Sequence, residues 1–94
     1  MLPTRINKRF REMQNKINEI IISCLACEES DITPDKDLFM DLYVDSLALA
    51  DIIFTTGECF CFEFTEDDID MISTVESIYH IVAKKTNIYS EHLH

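Results

Sequence analysis

Ile6, Phe10, Met13, Ile17, Ile20, Ile21, Cys24 and Leu25 recur mostly by threes and fours, with Arg, Lys, Glu, Gln and Asn between them. That spacing is one face of an α-helix, and it predicts a helix over about residues 4–26. A helix with one apolar stripe has to bury it against other elements. With one Gly and two Pro in 94 residues, the chain lacks the turn residues that a sandwich or barrel consumes. The expected fold is therefore all-α: one domain with a modest core, as befits so short a chain.

Residues 28–45 have no sustained period and contain Thr33-Pro34 and five aspartates. They read as a long connection pinned by Ile32, Leu38, Phe39 and Leu42, and long ordered loops in small domains often carry function. A second helix is expected from Asp45-Ser46 to about Cys59. Leu49, Ile52, Ile53, Thr56 and Phe60 form its core face, and Leu47, Asp51, Phe54 and Glu58 form a second stripe. Large apolar groups alternating with acids suit a docking surface; packing of Leu47 or Phe54 against the loop is the competing reading. Gly57 should loosen the last turn. Capping boxes at Thr65–Asp68 and Ser73–Glu76 open a short third helix and a fourth, in which Val75, Ile78, Tyr79 and Val82 keep helical spacing. The fourth ends at Lys84-Lys85. The expected layout is thus a four-helix bundle over residues 1–86, with a flexible tail at 87–94.

The formal charge is −10, and between Glu28 and Asp70 fourteen acids face one base, Lys36. Such a field repels nucleic acid and anionic membranes and favours basic protein partners. No stretch approaches the ~18 consecutive apolar residues of a membrane span. IIISCLAC (20–27) lies too far into the chain for a cleavable leader. These features predict a soluble, monomeric, cytoplasmic protein. Cys24, Cys27, Cys59 and Cys61 have Ile, Leu, Ala and Phe for neighbours, so small buried hydrophobes are expected over a zinc site. A calcium loop beginning at Asp35 fails, because Met40 stands where Gly belongs and Ser46 where a bidentate Glu belongs.

Ser46 raises the question of chemistry. A serine hydrolase needs a base and an orienting acid, commonly around a strand–turn–helix elbow. Ser46 has Asp45 beside it and no preceding strand. His80 falls late in the fourth helix, and His92 and His94 fall in the tail. The chain is expected not to be an enzyme. Asp45 is the better N-cap, which leaves the Ser46 hydroxyl facing outward at a helix N-terminus, where a phosphate ester is electrostatically welcome. A serine so placed suits modification by another enzyme.

The arrangement resembles the acyl carrier protein family, small acidic four-helix domains in which Asp-Ser-Leu opens the second helix. The matching residues are Asp45-Ser46-Leu47, preceded by Leu38, Asp41-Leu42 and Val44. Phe60, Phe64, Asp68-Ile69, Ile72-Ser73-Thr74-Val75 and Ile78 follow. The resemblance runs from about Ile6 to Lys85. It implies that Ser46 bears 4′-phosphopantetheine, transferred from coenzyme A by a separate Mg²⁺-dependent phosphopantetheinyl transferase, and that the arm's thiol carries acyl groups as thioesters. Asp45 would help present the serine, and Leu47 would flank it. Leu47, Asp51, Phe54 and Glu58 would meet partner enzymes that load or process the acyl group through basic or apolar patches. Ile52, Ile53, Thr56, Phe60, Phe64, Ile72 and Ile78 would pack the core and sequester the acyl chain.

Three departures stand out. Tyr43 occupies a position where the family usually has Gly, so the loop before the serine is expected to take another path. Asp51 and Glu58 are the only acids of the second helix. Thr56 brings a hydroxyl where a large aliphatic is expected. They suggest a carrier serving a specialised fatty-acid, lipid or secondary-metabolite pathway. Two other readings share the fold: an amino-acid carrier of peptidyl or D-alanyl type, and an unmodified interaction module.

Overall fold

The computed structural model describes residues 8–88. Four helices follow one another: α1 (Lys8–Leu25), α2 (Ser46–Phe60), α3 (Glu66–Asp70) and α4 (Val75–Lys85), with a 3₁₀ turn at Glu29–Asp31. The stretch 4–7 of the expected first helix, and the tail from residue 89, lie outside the described residues. Helix α1 buries Met13, Ile17, Ile20 and Ile21, the stripe that its periodicity marks, and packs against α2 and α4. From the other side Ile52, Ile72, Val75, Ile78 and Val82 close the core. Each large aliphatic so enclosed is worth about 1.5–3 kcal/mol over an exposed one. Tyr79 is buried too, and its hydroxyl donates to Asn18 Oδ1 at 2.5 Å, tying α4 to α1.

The long connection is an ordered strap. Leu38 and Val44 are buried with Ile32, and Leu42 packs against them. Phe39, expected as a further anchor, is instead exposed, because the loop turns tightly around Asp37 there. Asp37 Oδ1 accepts from Phe39 N and Met40 N at 2.9 and 2.8 Å, and Asp37 N donates to Asp41 Oδ2 at 2.9 Å. The strap also completes α4. Val75 N and Glu76 N, amides that a helix start leaves without partners, donate to Lys36 O and Pro34 O at 3.0 and 2.9 Å, while Leu38 N donates to Ser73 O at 2.8 Å.

Several expectations change at the helix ends. Thr65 caps α3 and forms the anticipated reciprocal box with Asp68. The cap of α4 is Thr74, whose side chain accepts from Ser77 N, and not Ser73. The one-residue shift arises because Ser73 is held in the strap pairing through its carbonyl. Gly57 does not loosen α2. Its carbonyl accepts from Cys61 N and Phe62 N, and a Cβ at this position would meet Phe62 O at 2.7 Å. The only glycine is needed so that the α2–α3 loop can lie against the helix. The fold also continues past residue 86: Asn87 turns the backbone left-handed and Ile88 is buried in the core.

The cysteines divide. Cys24 and Cys27 are half-buried, and burial pushes both thiols up from their ordinary value, aided by the charges of Asp51 and Asp31 respectively. Cys59 and Cys61, expected to be buried, are exposed. Cys59 falls on the outer side of α2, and Cys61 is its left-handed C-cap. No group of three or more metal-ligating side chains occurs among the described residues.

Candidate functional site

Ser46 is the first residue of α2 and is exposed. Asp45 has the extended backbone of an N-cap, and its Oδ1 accepts from Ala48 N at 2.8 Å, as expected. One residue earlier, Val44 is buried and its amide donates to Leu38 O at 2.8 Å. The serine therefore stands on a fixed mount: the strap anchors Val44, Asp45 stops the backbone, and the next residue projects from the helix end. Free amides and the positive end of the helix dipole make this a favourable place for a phosphate ester. His80, the histidine of the described region, lies on α4 and pairs with Glu76 at 3.5 Å. His92 and His94 lie outside the described residues.

Tyr43 takes φ 58°, the left-handed region in which glycine is the default residue. The loop thus keeps a conformation natural to glycine, which corrects the expectation of another path. A non-glycine residue there costs roughly 1–2 kcal/mol. Tyr43 is 82% exposed, so it gains little packing in return.

Leu47 and Phe54 are 80% and 64% exposed, which rules out their packing against the loop. They lie seven residues apart, about 10 Å along one helix face. Asp51 and Glu58, on the same stripe, are exposed as well. Met40 and Met71 add further exposed apolar side chains. Flexible thioethers of this kind adapt to varied partners.

The seven residues expected to pack the core and hold an acyl chain separate into two layers. Ile53 and Phe64 line an open groove of about 520 Å³ between the C-terminal half of α2 and the loop after it. Ile52, Thr56, Ile72 and Ile78 do not line it and are buried, and Phe60 is half-buried against the core. The groove also uses Phe54 and Glu58 of the docking stripe, together with residues that periodicity did not single out: Gly57, Cys61, Phe62 and Glu63. Phe62 and Phe64 meet at a tilt of 45° with ring centroids 4.9 Å apart. The signal for the two rings was the alternation Phe62-Glu63-Phe64 directly after the helix end, which sets aromatic side chains two residues apart.

Residues 15–82 match the family model described as the phosphopantetheine attachment site. The acyl carrier protein of Coprothermobacter proteolyticus is 32% identical over 84 residues, covering 89% of this chain and 95% of the relative. That of Syntrophobacter fumaroxidans is 35% identical over 72 residues, covering 77% and 89%. In three dimensions the chain is similar to a solution structure assigned as an acyl carrier protein from Anaplasma phagocytophilum. The TM-score is 0.74 at 24% identity, over 90% of this chain and 97% of that one; this likeness speaks for the fold alone. The mounted serine, the helix order and these matches agree: the chain belongs to the acyl carrier protein family, carriers of covalently attached 4′-phosphopantetheine and not catalysts.

Proposed function

We propose that Ser46 bears the phosphopantetheine arm and that the chain ferries acyl groups between enzymes of a dedicated fatty-acid, lipid or secondary-metabolite pathway. The observation that carries this reading is the position of Ser46, exposed at the first residue of α2 on an anchored strap and directly followed by exposed Leu47. These residues fit the group. The helix start offers amides to a phosphodiester, and Asp45 holds that start in place while placing a carboxylate beside the serine for the transferase's Mg²⁺. When attached, the arm supplies a terminal thiol on which acyl groups ride as thioesters.

The chain's own residues do the rest. Leu47 and Phe54 provide the apolar contact with a partner enzyme, while Asp51 and Glu58 orient a basic docking patch. With two acids on this helix, contact outweighs steering. Ile53 and Phe64 receive the acyl chain at the groove, over the core formed by Ile52, Thr56, Phe60, Ile72 and Ile78. The carrier domain acts as a monomer in the cytoplasm and extends to Ile88.

The test is intact-protein mass after incubation with coenzyme A, Mg²⁺ and a broad-specificity phosphopantetheinyl transferase, beside Ser46→Ala. A phosphopantetheine-sized gain in the wild type alone is the expected result. No gain in a folded protein, with a second transferase also failing, overturns the attachment and leaves an interaction module.

A further inference from the structure

Among the described residues Thr56 is the buried polar side chain of the core, at 0% exposure, and its Oγ1 has no hydrogen-bond partner. Helical hydroxyls ordinarily return to a carbonyl about one turn back. Thr86 Oγ1 donates to Val82 O at 2.7 Å, and Ser77 Oγ donates to Thr74 O at 2.5 Å. Thr56 sits mid-helix and leaves that option unused. The buried core that α2 contributes to is aliphatic: Ile52, one turn before Thr56, belongs to one cluster with Ile72 and Ile78. Valine has the same shape and leaves no dipole unpaired, so the hydroxyl weakens the core for as long as nothing pairs with it. Once a bound group supplies a partner, the sign reverses, and a chain lacking that group is disfavoured.

The location says what kind of group. Ile53 and Gly57, which flank Thr56 on α2, both line the groove. Thr56 stands ten residues beyond Ser46, about 15 Å along the helix, a distance that an extended pantetheine arm spans. A group meeting Thr56 therefore lies near the thioester and not at the far end of an acyl chain. We propose that Thr56 is a specificity-determining residue whose hydroxyl pairs with an oxygen at the 3-position of the acyl chain. The carrier then sequesters 3-hydroxy- or 3-oxoacyl cargo in preference to the unsubstituted chain. The inference rests on the attachment of the arm at Ser46.

The experiment loads the wild type, Thr56→Val and Thr56→Ser with octanoyl and with 3-hydroxyoctanoyl pantetheine, confirms each by intact mass, and compares thermal unfolding. In the wild type the hydroxylated cargo should raise the melting temperature more than the plain one, by a few degrees (~4 °C). Thr56→Ser should keep the difference. Thr56→Val should abolish it, while its unloaded form melts no lower than the wild type. Equal rises in the wild type, or a difference that survives in Thr56→Val, overturn the proposal. Failure to load at all sinks the attachment at Ser46 and leaves the cargo question open to a separate readout. That readout is binding of soluble octanoyl and 3-hydroxyoctanoyl N-acetylcysteamine thioesters to the unmodified chain, followed in every variant at the methyl resonances of Ile53, which lines the groove. A preference for the hydroxylated probe that Thr56→Val removes supports the hydroxyl's role, and equal binding overturns it.

Discussion

Gly57 shows how a single residue is assigned its job by tertiary contact. By helix propensity alone alanine is better at this place in the last turn of α2 by about 1 kcal/mol. The approach of Phe62 O, 2.7 Å from where a Cβ would stand, reverses that preference, since the obstacle is backbone and overpacking costs about 1–3 kcal/mol. Gly57→Ala should therefore lower the melting temperature by several degrees (~4–8 °C per kcal/mol at this size). Differential scanning calorimetry on the variant checks this; an unchanged or higher midpoint means that the loop yields easily. Tyr43 is the converse case. It takes a left-handed backbone without glycine's freedom, as do Ala26, Cys61 and Asn87. Glycine is spent where space is short, and ordinary side chains bear the turns.

At the scale of the element, α3 is five residues long, too short to persist alone. Asp68 secures it at both ends of its environment. Its Oδ2 accepts from Thr65 N at 2.9 Å and meets Lys85 Nζ of α4 at 3.0 Å. The Thr65 amide, more than Lys85, holds the Asp68 carboxyl below its ordinary value of 3.8. A depressed carboxyl contributes stability that is present above the unfolded value and is lost as pH falls through the folded one. The melting temperature of the wild type should therefore exceed that of Asp68→Asn at neutral pH, with the gap closing below about pH 4. A gap that stays constant down to pH 2 would assign the effect to shape and not to charge. Helix α2 draws on the same chemistry, since Asp45 caps it through Ala48 N, a contact worth about 1 kcal/mol.

For the whole molecule, the net charge of −10 is a self-repulsion that folding has to overcome. Millimolar Mg²⁺ or Ca²⁺ should raise the melting temperature. With no cluster of metal-ligating side chains among the described residues, NaCl at matched ionic strength should reproduce the rise through screening. A clear excess for the divalent ion would reveal specific sites. The same field surrounds a mixed face of α2, with Leu47 and Phe54 exposed among acids.

Periodicity determined the stripe of α1 and the core face of α2, because 3.6-residue geometry links spacing to burial without reference to anything distant, and capping patterns marked where the two later helices begin. Asp45, Thr65 and Ser46 were legible for the same reason: a cap and the residue after it depend on neighbours within one turn. Tertiary structure alone decided what non-local contact controls. It shifted the α4 cap to Thr74 because the strap claims Ser73, exposed Phe39 because Asp37 folds the loop beneath it, and drew Ile88 into the core. It also built the groove from Gly57, Phe62 and Phe64 and left the Thr56 hydroxyl without a partner. Both depend on how closely α2 and the chain after it approach, a distance that no local pattern encodes.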